Sequence, residues 1–129
     1  PVVVSGYRTP EEQQALLDEK IAQYRNEGYP YQVAVEKAEA WVAVPGTSEH
    51  QLGLSVDLNP DRSYSTAQEV YQWLEENSAR FGFIRRYPPD KTDLTGVIHE
   101  PWHYRYVGDE AAAVIREEGL CLEEYLQER

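Results

Sequence analysis

The segment HEPWHYRYVG, residues 99–108, distinguishes between two possible folds for the C-terminal half of this chain. It begins with H-E-x-x-H, the pattern by which a continuous helix presents two histidines to a zinc ion. Pro101 would lie inside that helix, removing a backbone donor and clashing with the preceding turn at a cost of about 3 kcal/mol. The aromatic residues Trp102, Tyr104 and Tyr106 alternate with other residues at the spacing of a strand. The segment therefore predicts a β-strand and excludes the helical zinc motif.

Apolar periodicity in the rest of the chain predicts an α+β fold, with helices flanking a small, mostly antiparallel sheet in one domain, residues 1–129. Residues 54–58 alternate apolar and polar side chains, as a half-buried strand does. Ser65 is a predicted N-cap that forms a capping box with Gln68. The predicted strands are 2–4, 54–58, 81–87, 96–98 and 102–107, and the predicted helices are 10–27, 31–43, 66–81, 110–118 and a short C-terminal one.

Composition restricts the classes of function. The formal net charge of −11 would repel nucleic-acid phosphates, so we expect no nucleic-acid partner. No apolar run approaches the roughly 20 residues that span a bilayer, so we expect no transmembrane segment in this chain. The single cysteine, Cys121, excludes an intrachain disulfide and a cysteine-built zinc site. The chain starts at Pro1 without a methionine, which suggests a domain of a longer precursor.

A metal site is still possible if His103, on the predicted strand, finds other ligands along the chain. His50 precedes the strand at 54–58, and Asp57 lies on the polar face of that strand. Two imidazoles and one carboxylate suit Zn²⁺ and leave a fourth position open for water. Glu100 would then be free to act as a base toward that water.

Each of these residues also has a simpler explanation. Most single histidines in a domain of this size are surface or hydrogen-bonded residues. Asp57 comes shortly before Asn59-Pro60 and could serve turn formation, and Glu100 could be a solvated charge or a cap. Residue types and spacing alone therefore leave two alternatives, a zinc site and an acidic structural domain without metal.

Three segments taken together resemble the zinc D-alanyl-D-alanine carboxypeptidases of the VanY type. The segments are SGYRT (5–9), PGTSEHQLGLSVDLNP (45–60) and EPWHYRYVG (100–108). They contain the family patterns S-x-H-x(6)-D and E-x-W-H, in the family's order, over most of the chain. The wider group includes D-Ala-D-Ala dipeptidases, phage L-alanyl-D-glutamate endolysins and the hedgehog signalling domain. The resemblance therefore implies a hedgehog/DD-peptidase-like fold.

The resemblance also implies the metal ligands and the catalytic base. His50, Asp57 and His103 correspond to the family's zinc ligands, and Glu100 corresponds to its base. His99 matches no ligand of the family. One departure from the family pattern is Ser55, where the family usually has alanine; serine is small enough to fit.

Further residues are implied to contact the substrate. Arg8 resembles the family's substrate-facing arginine, near the scissile carbonyl or the terminal carboxylate, where it could also offset an oxyanion. Without the resemblance, a surface ion pair would be the simpler explanation of Arg8. Ser48 and Gln13 resemble residues that hold the C-terminal end of the substrate. Trp102, beside a ligand, could form a wall of the active site.

The remaining aromatic and basic residues of the strands have structural explanations. An aromatic stripe on a strand is more often part of a core than a binding surface, so we expect Tyr104 and Tyr106 to pack in the core or on a sheet face. We expect the Arg-Arg-Tyr run at 85–87 to be a solvated strand end.

The function that the resemblance implies is zinc-dependent D,D-carboxypeptidase activity, which removes the terminal D-Ala from peptidoglycan peptides ending in D-Ala-D-Ala. An L,D-carboxypeptidase acting on tetrapeptide stems would use the same catalytic residues. A third possibility is a non-catalytic zinc module that binds wall peptides or a protein partner. The substrate implies a place in the bacterial cell envelope outside the cytoplasm, for which a signal or anchor could lie beyond this chain; the alternative is a cytoplasmic enzyme that acts on peptidoglycan precursors. We expect a monomer.

Overall fold

Four strands form one antiparallel sheet within residues 1–128, the part of the chain that the computed structural model describes. The strands are β1 (Val2–Ser5), β2 (Ser55–Asn59), β3 (Phe83–Tyr87) and β4 (Glu100–Tyr106). Their spatial order is β1-β2-β4-β3, so β4 lies between β2 and β3. The mixture of helices with a small antiparallel sheet confirms the predicted α+β class.

Helices connect and flank the strands. They are α1 (Pro10–Asn26), α2 (Tyr31–Glu39), α3 (Ala67–Asn77), α4 (Thr92–Thr95), α5 (Asp109–Glu118) and α6 (Leu122–Gln127), with 3₁₀ helices at Glu49–Leu52 and Ser78–Phe81. Thr9 caps α1 by accepting the Glu12 N–H, and Pro10 begins the helix, as predicted. The predicted end of α2 near Ala43 is wrong, because the helix ends at Glu39. The backbone N–H groups of Trp41 and Val42 both donate to the carbonyl of Ala38, which closes the last turn. None of the helices in residues 1–128 is long and apolar enough to cross a membrane.

The predicted strand at 96–98 is wrong. Gly96 has a φ of +73° and ends α4 in the left-handed conformation that glycine adopts without a steric cost. The hydroxyl of Thr95 donates to the carbonyl of Val97 and accepts the N–H of the same residue. These local hydrogen bonds use the backbone groups that a strand would need for pairing.

The predicted start of α3 is displaced by one residue. Thr66 is the N-cap, and its capping partner is Glu69, in place of the predicted Ser65 and Gln68. Both pairs have the same three-residue spacing, so the pattern alone does not separate them. The single helix predicted up to Gly82 is instead α3 followed by a 3₁₀ helix.

The register between β2 and β4 determines which side chains share a face of the sheet. Asp57 pairs with His103, and Val56 pairs with Tyr104. Successive side chains of a strand point to opposite faces, so the two pairs lie on opposite sides. Tyr104 is 1% exposed and packs against α3 in a hydrophobic core, which confirms its predicted role. Tyr106 is more exposed, and its ring makes a T-shaped contact with the ring of Phe83 on the sheet face, also as predicted.

A second core cluster joins α5 and α6 to β3. Its buried members are Ala79, Ile84, Ala112, Ile115 and Leu122. Burying side chains of the size of leucine or isoleucine contributes roughly 1.5–3 kcal/mol each. The C-terminal helix α6 is therefore packed onto the same core as β3, and its polar residues lie close to the end of that strand.

Candidate active site and metal centre

The side chains of His50, Asp57 and His103 converge in the folded chain. One ligand atom from each lies within 4.8 Å of the other two. Asp57 Oδ1 is 2.9 Å from His103 Nδ1 and 3.3 Å from His50 Nε2. A tetrahedral zinc ion with ligand bonds of about 2.0–2.2 Å keeps its ligand atoms roughly 3.3–3.6 Å apart. The three residues therefore fit a zinc ion with little rearrangement.

His50 is oriented by the backbone around it. It lies in the 3₁₀ helix that follows Ser48, whose hydroxyl oxygen accepts the His50 N–H. His50 Nδ1 is 2.7 Å from the carbonyl oxygen of Gly6, and since a carbonyl can only accept, Nδ1 donates. Nε2, the nitrogen that faces Asp57, is therefore the one through which this imidazole could bind a metal. A backbone hydrogen bond of 3.0 Å from Arg8 N to His50 O holds the two segments together.

The electrostatics of the cluster favour a positive charge between the carboxylates. Burial alone would raise the pKa of Asp57, but hydrogen bonds with His103 and His50 outweigh it and lower that pKa to about 2. Burial alone would lower the pKa of His103, but hydrogen bonds with Asp57 and Glu49 raise it to about 9. A divalent cation would also place positive charge between the carboxylates, and it would compete with a proton for the ring nitrogen of His103.

Glu100 is buried beside the cluster at the start of β4, with 8% of its surface exposed. Burial raises the pKa of Glu100 to about 7, while the charges of His103 and Arg8 act to lower it. A cation bound by the neighbouring residues would lower this pKa further. A carboxyl group that titrates near neutrality can both accept and return a proton.

Arg8 faces the cluster and is not a surface ion pair. Its Nη2 is 3.7 Å from Asp57 Oδ2, and Nη1 donates to Gln13 Oε1 at 3.0 Å. No group within residues 1–128 accepts a hydrogen bond from the buried Nε of Arg8. The amide of Gln13 is itself 1% exposed and donates to the carbonyl of Ala43 at 2.7 Å. Gln13 thus orients Arg8. The predicted contact of Gln13 with a substrate stays a prediction.

All eight residues that the sequence predicts for the site line one cavity of about 420 Å³. They are Arg8, Gln13, Ser48, His50, Asp57, Glu100, Trp102 and His103. His99 lies outside this set, and its Nδ1 is 3.0 Å from the carbonyl oxygen of Tyr87. The cavity is large enough for a short peptide, since pockets for small ligands typically have volumes of 300–1,000 Å³.

The prediction of a solvated strand end at 85–87 is wrong. The side chain of Arg86 is only 12% exposed. Its Nε donates to Glu49 Oε2 at 2.7 Å, and its two Nη atoms donate to the carboxylate of Glu123 at 2.7 and 2.8 Å. Arg86 can be buried because the carboxylates of Glu49 and Glu123 compensate the charge of its guanidinium group.

Tyr87 is a further residue of the site that the sequence analysis missed. Its ring stacks on that of His103, with the centroids 5.0 Å apart and an interplanar angle of 26°. No local pattern points to Tyr87, because simple alternation along β3 would place it on the face opposite to His103, and the register with β4 shifts between Arg85 and Tyr87. Alternation from the buried Ile84 does place Arg86 on a buried face, but it does not indicate which carboxylates compensate its charge.

Comparison with known proteins gives a consistent family. The family model for VanY, D-alanyl-D-alanine carboxypeptidase, matches residues 1–109. A D-alanyl-D-alanine carboxypeptidase of Enterococcus faecalis is 68% identical over 126 residues, which are 98% of this chain and 47% of that protein. The chain thus spans about half the length of this relative.

Two solved structures superpose closely on the fold. VanYB in complex with D-alanine-D-alanine has a TM-score of 0.96 at 67% identity, covering 98% of this chain and 70% of that one. A mutant of the vancomycin-resistance D,D-pentapeptidase VanY from a VanB-type cassette, in complex with Zn(II), has a TM-score of 0.95 at 67% identity, covering 97% and 70%. The chain belongs to the VanY D-alanyl-D-alanine carboxypeptidase family.

Replacing Gln13 with alanine should lower the free energy of unfolding by roughly 2–4 kcal/mol, because it opens a cavity and leaves the Ala43 carbonyl unpaired. Urea denaturation followed by tryptophan fluorescence measures this change. Gln14→Ala is the matched control, since Gln14 is exposed and bonds Asp18 on the helix surface; we expect a change below about 0.5 kcal/mol. Equal effects of the two substitutions would contradict the buried role of Gln13.

Proposed function

We propose that this chain is the catalytic domain of a zinc-dependent D,D-carboxypeptidase that removes the terminal D-Ala from peptidoglycan peptides ending in D-Ala-D-Ala. The observation that supports this most directly is the convergence of His50, Asp57 and His103 beside a buried Glu100 in one cavity. The family and the solved relatives with D-Ala-D-Ala and Zn(II) point to the same chemistry.

His50, Asp57 and His103 would hold the zinc ion through Nε2, a carboxylate oxygen and Nδ1. These three protein ligands are the number found in catalytic zinc sites, which keep one position open. When bound, zinc supplies Lewis-acid polarisation of the scissile carbonyl and activation of water. A structural zinc site would instead be closed by further ligands, typically cysteines, which this chain lacks around the cluster.

Glu100 is the proposed general base and acid. Its carboxylate would accept a proton from the water that attacks the peptide carbonyl, and the same oxygen would return that proton to the amine of the departing D-Ala. Its burial prevents bulk water from competing for this proton. A module that only binds wall peptides would have no need of such a carboxylate, and this favours an enzyme over the non-catalytic alternative.

Arg8 is the proposed contact for negative charge on the substrate. Its buried Nε has no acceptor among residues 1–128, and the guanidinium faces the cavity. It could bind the terminal carboxylate of the peptide or offset the oxyanion that forms during attack. Ser48 and Trp102 line the same cavity, and we propose that the Ser48 hydroxyl and the Trp102 ring help to hold the C-terminal residue.

The preference for D,D over L,D substrates is also a proposal. It is supported by the neighbour that binds D-alanine-D-alanine at 67% sequence identity. Because peptidoglycan lies outside the cytoplasmic membrane, we infer that the enzyme acts in the bacterial cell envelope, as a monomer.

A direct test is the release of D-Ala from a pentapeptide ending in D-Ala-D-Ala, measured beside release from the corresponding tetrapeptide. We expect zinc-dependent release from the pentapeptide and little from the tetrapeptide. The reverse preference would assign the chain to the L,D-carboxypeptidases. No release from either peptide by the zinc-loaded protein would leave the non-catalytic module as the better explanation.

Substituting His103 with alanine should remove bound zinc, because it deletes one of three protein ligands. Elemental analysis after dialysis against zinc-free buffer gives the metal content. His99→Ala is the matched control, since His99 lies outside the cluster and bonds the Tyr87 carbonyl. We expect that variant to keep its zinc; loss of metal from both variants, or from neither, would contradict the assigned ligand set.

Glu100→Gln should retain zinc but lower kcat by about 10²–10⁴-fold, the usual contribution of general acid–base catalysis. The amide preserves the size of the side chain but cannot accept the proton. Glu110→Gln, an exposed position in the first turn of α5, makes the same chemical change away from the cavity and should leave kcat unchanged. Turnover that survived in Glu100→Gln would exclude Glu100 as the base.

A further inference from the structure

His103 has a second polar neighbour, Glu49, which lines the same cavity but has no role in the family pattern. One ring nitrogen, Nδ1, faces Asp57, and the other, Nε2, lies 3.3 Å from Glu49 Oε1. An imidazole that binds a metal through one nitrogen must carry its proton on the other. Whichever group accepts from Nε2 therefore decides whether Nδ1 has a lone pair to offer.

The carboxylate of Glu49 can act only as an acceptor, and its surroundings hold it in one position. Its Oε2 accepts from Arg86 Nε at 2.7 Å and from Arg105 Nη1 at 2.8 Å. Its Oε1 accepts from Ser55 Oγ at 3.3 Å, on the side that faces His103. Glu49 is 8% exposed, so these protein donors replace the water that a carboxylate would otherwise bind.

Ser55 is the position at which the chain departs from the alanine that is usual in the family. In the fold, its hydroxyl lies on the same sheet face as Asp57 and reaches Glu49. The departure thus adds a donor to the carboxylate that orients a proposed ligand, which alanine could not provide.

The support for Glu49 extends to the C-terminal helix. Arg86 makes a bidentate ion pair with Glu123 of α6, at 2.7 and 2.8 Å. Bidentate pairs restrict the guanidinium plane and so the direction in which Nε points. The helix α6 lies beyond the residues that the family model matches, which end at 109.

We propose that Glu49 is a positioning residue for metal binding. It accepts a hydrogen bond from the proton-bearing Nε2 of His103, so that Nδ1 can exchange its proton for the zinc ion that would lie between it and Asp57, and it is itself held by Arg86 and Glu123. This inference rests on the proposed function, because it assumes that His103 is a zinc ligand. Carboxylates that orient metal-binding histidines in this way change metal affinity by about 10- to 100-fold when they are replaced.

The test compares the zinc dissociation constants of folded variants, measured by competition with a chelator. Glu49→Gln should weaken zinc binding about 10- to 100-fold, because a neutral amide accepts more weakly and can rotate to present its NH₂ to Nε2. Glu123→Gln, on the partly exposed α6, should weaken it to a smaller degree by loosening Arg86. Glu128→Gln is the matched control, since it makes the same chemical change at the exposed C-terminal end of α6, away from this network and from the N-cap of the helix; its zinc affinity should be unchanged.

Two further readouts separate positioning from a merely structural role. Urea unfolding of the zinc-free variants reports any general loss of stability, which should not track the loss of zinc affinity. Imidazole ¹⁵N spectra of the zinc-loaded wild type should show the proton of His103 on Nε2. A proton on Nδ1 would overturn the inference, as would wild-type zinc affinity in a folded Glu49→Gln.

The outcomes also distinguish this inference from the proposed function. If Glu49→Gln leaves zinc affinity unchanged while the wild type binds zinc and cleaves the pentapeptide, only the role of Glu49 is wrong. If the wild type binds no zinc, both are wrong. If Glu49→Gln does not fold, the zinc affinity of Glu123→Gln decides the question, and an unchanged affinity there would overturn the inference.

Discussion

The pairing of Asp57 with His103 across β2 and β4 is the constraint on which the site depends. A slip of one residue in this register would move every side chain of β4 to the other face of the sheet. The opposite face prevents such a slip, because Tyr104 is fully buried against α3 and could not be exchanged for a histidine or an arginine without unpaired polar groups. The hydrophobic core on one side thus holds the ligand geometry on the other.

Much of the fold and of the site could be predicted from local patterns. The alternation at 54–58 and 102–107 places Asp57 and His103 on strands, and the family resemblance supplies Arg8 and the role of Glu100. What the sequence analysis missed depends on long-range contacts. Arg86 is compensated by two carboxylates, Glu49 and Glu123, each 37 positions away in the chain, and no local pattern encodes such a pair. Residues 96–98 show the opposite kind of error, in which a strand was predicted but did not form. There the local hydrogen bonds of Thr95 and the left-handed conformation of Gly96 override strand propensity.

Charge is distributed unevenly between the surface and the cavity. The chain has a formal net charge of −11, yet the polar residues around the cluster include three arginines, Arg8, Arg86 and Arg105, close to the buried carboxylates. Arg86 and Arg105 are occupied by Glu49, whereas Arg8 keeps a donor without a partner in residues 1–128. Arg8 would thus offer a peptide carboxylate an available donor directly beside the cluster, which favours binding of a chain terminus over an internal peptide segment.

Pro101, which excludes a zinc helix on sequence grounds, also shapes the sheet. Proline has no N–H to donate to a neighbouring strand and is confined to strand starts, edges and irregularities. Strand β4 pairs with β2 only from His103 onward, although β2 itself continues to Asn59. Within the described residues, the first residues of β4 thus do not pair with β2, and Glu100 pairs only with Tyr87 of β3. The proposed catalytic carboxylate therefore lies on a stretch of β4 whose backbone is bordered by a strand on one side only, so its groups on the other side are not used in pairing with β2.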